Sequence, residues 1–125
     1  MMEKYEMQIN KDKLVSSKTA LAMHELRIYI PSLFWYDKLG GLHTEKNGCY
    51  SPYYMCGCPT LLECLQYLSK ERTIDFKPRK QERGYKMVAQ RGKHIFYNSK
   101  KEDKFFATLE EALEVAAQKC LDDLY

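Results

Sequence analysis

The stretch YKMVAQRGKHIFYNS, residues 85–99, decides the fold. Two runs of strand-like composition, YKMVAQ and HIFYNS, flank QRGK, and Gly92 in that link can adopt the positive φ of a tight turn. The pattern predicts a β-hairpin with strands near 85–90 and 94–99. Side chains alternate along a strand, so Lys86, Val88 and Gln90 share one face while Tyr85, Met87 and Ala89 share the other.

Toward the C-terminus, KKEDK turns the chain and KFF offers a short third strand. FFATLEEALEVAAQKCLDDLY then carries the strongest helix signal in the chain. Thr108 is placed to cap, Glu111 completes a capping box, and Glu110 and Glu111 sit at the positive end of the helix dipole. Leu109, Ala112, Leu113, Ala116, Ala117, Cys120, Leu121 and Leu124 form one apolar stripe, so a helix over 108–123 packs on the hairpin.

Upstream, Thr60-Leu61-Leu62-Glu63 is a second capping box opening a helix to about residue 70, with Leu61, Leu62, Cys64, Leu65 and Leu68 on its apolar side. RTIDFKPRKQERG between this helix and the hairpin is charged, is interrupted by Pro78, and reads as a connector. Ser32 and Gly40-Gly41 bracket SLFWYDKL like the two ends of a short helix over 33–39 carrying Trp35. Residues 42–59 read as a long irregular loop or weak hairpin. ALAMHEL suggests a short helix that passes near Glu25 into a strand, LRIYI, ended by Pro31. The first dozen residues read as a loose tail or an edge strand. The expected class is α+β: one small domain over 1–125, with a small antiparallel sheet (hairpin 85–99) packed against two or three helices. The two capping boxes also align, Thr60-Leu61-x-Glu63-x-Leu65 with Thr108-Leu109-x-Glu111-x-Leu113. Either an internal duplication or independent use of a common cap accounts for that.

The order hairpin, short third strand, helix over residues 84–120, in GYKMVAQRGKHI and FFATLEEALEVAA, resembles small three-strand-plus-helix DNA-binding modules such as the arm-binding domains of integrases. The likeness lies in the order of elements alone, and no base-reading residue carries over from it.

The 125 residues are 45% apolar and 30% charged, a globular mixture large enough for one hydrophobic core. MMEKYEMQINKDK has no apolar segment of a secretory signal, and no window is long and apolar enough to span a bilayer. A cytoplasmic, reducing location without membrane contact is therefore expected, and five cysteines cannot all pair within one chain.

Four of those cysteines fall at Cys49-x6-Cys56-x-Cys58-x5-Cys64. Structural zinc sites draw on paired ligands two to four residues apart, and Cys64 shares a face with Leu61 and Leu68. Core sulfur is the expected role, with no metal and no cofactor. Cys58, just before Pro59-Thr60, could feel the following helix dipole. His24, His43 and His94 show no partner pattern, and neither G-x-G-x-x-G nor a phosphate-binding loop occurs. No catalytic residue is assigned, and a non-enzymatic binding protein is expected. An enzyme would need His43 or a cysteine beside a polar pocket.

Charge is more informative. From Lys77 to Lys104 ten basic residues face only Glu82, Glu102 and Asp103, a local excess of seven, whereas the last helix carries five acids against Lys119. A basic hairpin with interleaved aromatics fits nucleic acid, since cations neutralise phosphates and rings can stack on bases. The residues expected to make that contact are Lys86, Arg91, Lys93, His94, Lys100 and Lys101. The alternative is an accessory protein, for example one encoded on a mobile element, that binds another protein through a Tyr/Trp-rich surface at Tyr50, Tyr53 and Tyr54. The oligomeric state is left open.

Overall fold

The computed structural model describes residues 9–44, 53–102 and 104–124, and within them the chain forms three α-helices and two three-stranded antiparallel sheets. In chain order these are α1 (Ser17–Glu25), β1 (Trp35–Asp37), β2 (Leu42–His43), β3 (Tyr54–Gly57), α2 (Leu61–Glu71), β4 (Asp75–Gln81), β5 (Gly84–Arg91), β6 (His94–Asn98) and α3 (Leu109–Leu124), with a single 3-10 turn at Ser99–Glu102 before α3. The sheets have the orders β2-β1-β3 and β4-β5-β6. The class is α+β, as the sequence implies.

The hairpin and α3 form where the local pattern places them. Arg91 pairs with His94 across the turn, where Gly92 takes φ 59°. Met87, Ala89 and Tyr97 point inward and are buried. The stripe on α3 is buried from Leu109 to Leu121, and α3 packs on β4, β5 and β6 as well as on α1 and α2. Ala112, Ala116 and Ala117 keep that stripe thin, so neighbouring elements can approach closely. One apolar cluster runs through all of these contacts, from Ile9 to Leu121. Both capping threonines act as expected. Thr60 Oγ1 accepts from the Glu63 amide (3.1 Å) while Glu63 accepts from the Thr60 amide (2.9 Å), and Thr108 Oγ1 accepts from the Glu111 amide (3.1 Å).

Three stretches fold differently from expectation. The expected connector at 72–84 contains strand β4, so the third strand precedes the hairpin rather than following it. Ile74 and Phe76 turn into the core while Lys77 and Arg79 stay exposed, which is the strand period. Pro78 is tolerated because β4 is an edge strand and Pro78 lies opposite Met87. The Met87 amide donates to Ser99 Oγ (2.8 Å), away from β4, so this pair exchanges no ladder bond and the missing N–H costs none. KFF adds only an isolated bridge, Tyr85 with Phe106.

The expected helix at 33–39 is instead strand β1 and its turn. The Cys58 amide donates to Phe34 O (2.9 Å), which ties β1 to β3. The Asp37 carboxylate accepts from the amides of Leu39 (2.8 Å) and Gly41 (2.9 Å), and Gly40 takes φ 87°. The Gly pair therefore makes a strand turn rather than a helix end. LRIYI is not a strand: Arg27 adopts φ 60° and the Ile28 amide donates back to Met23 O (2.9 Å), closing α1 in the way glycine usually does.

Of the expected loop at 42–59, the two ends form β2 and β3, and residues 45–52 lie outside the described residues together with residues 1–8. Only the Thr60–Glu63 pair shows both bonds of a capping box, and behind the two capped helix starts stand sheets of different order, with the first strand central in one and the second central in the other. Among the described residues no helix is long and apolar enough to cross a membrane.

Candidate nucleic-acid interface

The β4–β6 sheet has an inner face covered by α3 and an outer face on which β4 and β5 align cations. Register sets Lys77 opposite Val88 and Arg79 opposite Lys86. Directly opposed residues share a face, so these side chains line one shallow hollow of about 240 Å³, with Lys100 arriving from the 3-10 turn. Among the described residues the hollow is lined by four cations and no carboxylate. Lys77, Arg79 and Lys100 are exposed.

Lys86 is different, at 7% exposure. Its Nζ lies 4.1 Å from the centre of the Phe105 ring, and the Arg83 guanidinium lies 4.5 Å from the same ring. A lysine can bury its stem while its ammonium meets an aromatic face, a contact worth about 0.5–2 kcal/mol depending on desolvation. Phe105 thus holds Lys86 of β5 and Arg83 of the β4–β5 turn.

The six residues expected to act together are divided. Lys86 and Lys100 line the hollow. Arg91 donates through Nη1 to Arg72 O (3.2 Å) and lies over Phe96, while His94 Nε2 meets the Asp123 carboxylate (3.1 Å) and packs edge-on against Phe96. These two belong to the end of the sheet beside α2 and α3, not to the outer face. Lys93 is exposed in the turn and Lys101 is exposed on the 3-10 turn. The expected interleaved aromatics also turn away: Tyr97 is buried, and Tyr85 and Phe96 pack against the core. Lys77 and Arg79 complete the hollow and were missed as site residues because their segment reads as a connector. The alternation of Ile74 and Phe76 with Asp75 and Lys77 was the available signal.

The tyrosines expected at a protein interface are not equivalent. Tyr50 lies outside the described residues, Tyr53 is 70% exposed, and Tyr54 is half-buried in β3 with its ring 5.6 Å from that of Trp35.

Cys56, Cys58, Cys64 and Cys120 are free and buried, while Cys49 lies outside the described residues. Burial pushes the Cys56 thiol up to about 11 and the Cys120 thiol to about 12, and raises Cys58 and Cys64 as well. The helix start therefore does not activate Cys58, whose enclosed thiol instead donates toward Val15 O (3.5 Å). Among the described residues no three His, Cys, Asp or Glu side chains gather as metal ligands. His43 Nε2 lies 2.7 Å from Asp37 Oδ2, and its ring stacks on Trp35 at 4.2 Å. Protein-family models, curated protein sequences and solved structures give no match to this chain.

Proposed function

We propose that this is a small non-enzymatic binding protein that contacts double-stranded nucleic acid through the outer face of the β4–β6 sheet. The observation that carries the reading is the convergence of Lys77, Arg79, Lys86 and Lys100 on one hollow. Such a cluster favours phosphates, and each neutralised phosphate releases counterions. The acids of α3 support it: Glu111, Asp122 and Asp123 are exposed on the far side of the sheet, so an approaching polyanion is turned toward the basic face. The inward turn of the aromatic rings favours a duplex, because unstacked bases would need exposed aromatic faces. The four free thiols fit the reducing environment of the cytoplasm.

Fluorescence anisotropy with labelled duplex and single-stranded oligonucleotides of equal length, at two salt concentrations, tests this. The combined K77E/R79E/K100E reversal uses exposed positions and leaves Lys86 packed. Salt-sensitive duplex binding that disappears in the reversed protein is expected. Binding that survives the reversal would remove the outer face from consideration.

A protein partner is the second reading. Among the described residues, five of the six exposed large hydrophobics, Tyr29, Leu33, Leu39, Leu42 and Tyr53, fall in the segment 29–53. Under that reading L39S/Y53S disrupts a defined complex while the charge reversal leaves it intact.

A further inference from the structure

Cations do not account for the whole outer face of the β4–β6 sheet. Register divides that face into rows. Arg79 lies opposite Lys86, and Val88 lies between Lys77 on β4 and Asn98 on β6. In the next row Gln90 pairs with Asp75 on one side and with Ile95 on the other, so these three also share the face. An acid, an amide and an aliphatic side chain thus stand beside the cations. A surface that only gathers phosphates gains nothing from them, and Asp75 would repel one.

Packing does not explain the row either. Asp75 is exposed, and Ile95, 46% exposed, is the one exposed large hydrophobic outside the segment 29–53 among the described residues. Gln90 is half-buried where it lines the hollow, and among the described residues no hydrogen bond engages its amide. Each of the three matches a group on the floor of the major groove of a duplex. A glutamine pairs with adenine N6 and N7, a carboxylate accepts from cytosine N4, and an apolar side chain contacts the thymine methyl. The major groove, about 12 Å wide, admits a two-stranded ribbon such as β4–β5, and the minor groove, about 6 Å wide, is too narrow for one.

We infer that the row Asp75, Gln90 and Ile95 enters the major groove and makes duplex binding sequence-selective, with Gln90 reading an adenine through N6 and N7; this rests on the duplex reading above. The face then divides its labour. Lys77, Arg79 and Lys100 hold phosphates and fix the position of the protein on the duplex, while the neighbouring row chooses the sequence.

Selection of a randomised duplex library on the full chain is expected to return a preferred site that contains adenine. Copies of that site carrying 7-deaza-adenine, which lacks N7, then locate the contact without any protein variant. At one adenine the replacement is expected to weaken binding about tenfold. Gln90→Met keeps the side-chain length and is expected to lower the ratio of selected to scrambled affinity by the same factor, with little added by combining it with 7-deaza-adenine. Lys77→Ala is expected to weaken both duplexes alike, leave the ratio unchanged and lower the salt slope by about one. Equal binding of selected and scrambled duplexes, 7-deaza-adenine without effect at every adenine, or a preference retained in Gln90→Met would each overturn this inference and leave the duplex reading standing. No duplex binding even at low salt would remove both.

Discussion

At Lys86 one side chain serves packing and charge together. Its stem and ammonium lie against Phe105 while its positive charge contributes to the hollow beside Arg79. Lys86→Met keeps the volume but loses the cation contact with Phe105, and is expected to lower stability by about 0.5–2 kcal/mol in urea denaturation while lowering the salt slope of duplex binding by about one. Lys86→Glu instead buries an acid against the ring and is expected to destabilise the fold by roughly 2 kcal/mol, read from urea denaturation. Asp37 sets a pH dependence. The His43 hydrogen bond, followed by the Gly41 and Leu39 amides, holds its carboxyl below the ordinary carboxylate range. Its native value is lower than its unfolded value, so the stability it contributes is complete above that range and is lost as pH falls through the native value. Melting temperatures from pH 6 to pH 2 are expected to fall less steeply in Asp37→Asn, and an unaltered slope would exclude Asp37 as the source. Single residues were legible where a stripe defined them, as for Cys64 and Cys120. The Asp37–His43 contact was not, because it depends on a turn that the sequence disguises as a helix end.

Among the elements, the hairpin and the two capped helices were readable because each rests on a local rule: a turn glycine, a capping box, an apolar period. Strand β4 was hidden by Pro78 and its charges, since the sequence alone does not say that the strand lies at an edge where a missing N–H is harmless. Strand β1 was hidden by residues that suit two structures. Ser32 and Gly40-Gly41 would cap a helix, but pairing with β3 wins because it satisfies the backbone at Phe34 and Cys58. The two turn glycines of the β4–β6 sheet separate conformation from space. Gly84 has φ 130°, and a Cβ there would come within 2.5 Å of Phe106 O, so Gly84→Ala must break the Tyr85–Phe106 bridge. A loss of about 2 kcal/mol or more is expected. Gly92 has φ 59° with open space around it, so Gly92→Ala is expected to cost only about 1 kcal/mol and Gly92→Asn less. Equal losses at the two positions in thermal denaturation would contradict this assignment of causes.

Over the whole molecule, sulfur and charge follow the layering. The described cysteines all sit within the single apolar cluster, and their raised thiols stay protonated at neutral pH. Four of the five thiols are therefore expected to react with a disulfide reagent only at the rate of unfolding, and rapid reaction of more than one in the native protein would contradict the packing. The candidate interface was half legible. Its charge excess was plain from composition, but its membership needed the sheet, because register brings Lys77 and Arg79 beside Lys86 and sends Arg91 and His94 to the other end. The position of Pro78 has a consequence of its own. Among the described residues strand β4 forms an outer rim of its sheet, along which a foreign strand could extend the ladder, the first step toward fibrils or strand exchange. Proline withholds one donor from that rim, and the exposed Lys77, Arg79 and Lys80 around it repel a second copy. The residue that disguises the strand in the sequence thus also protects the folded protein from self-templated growth.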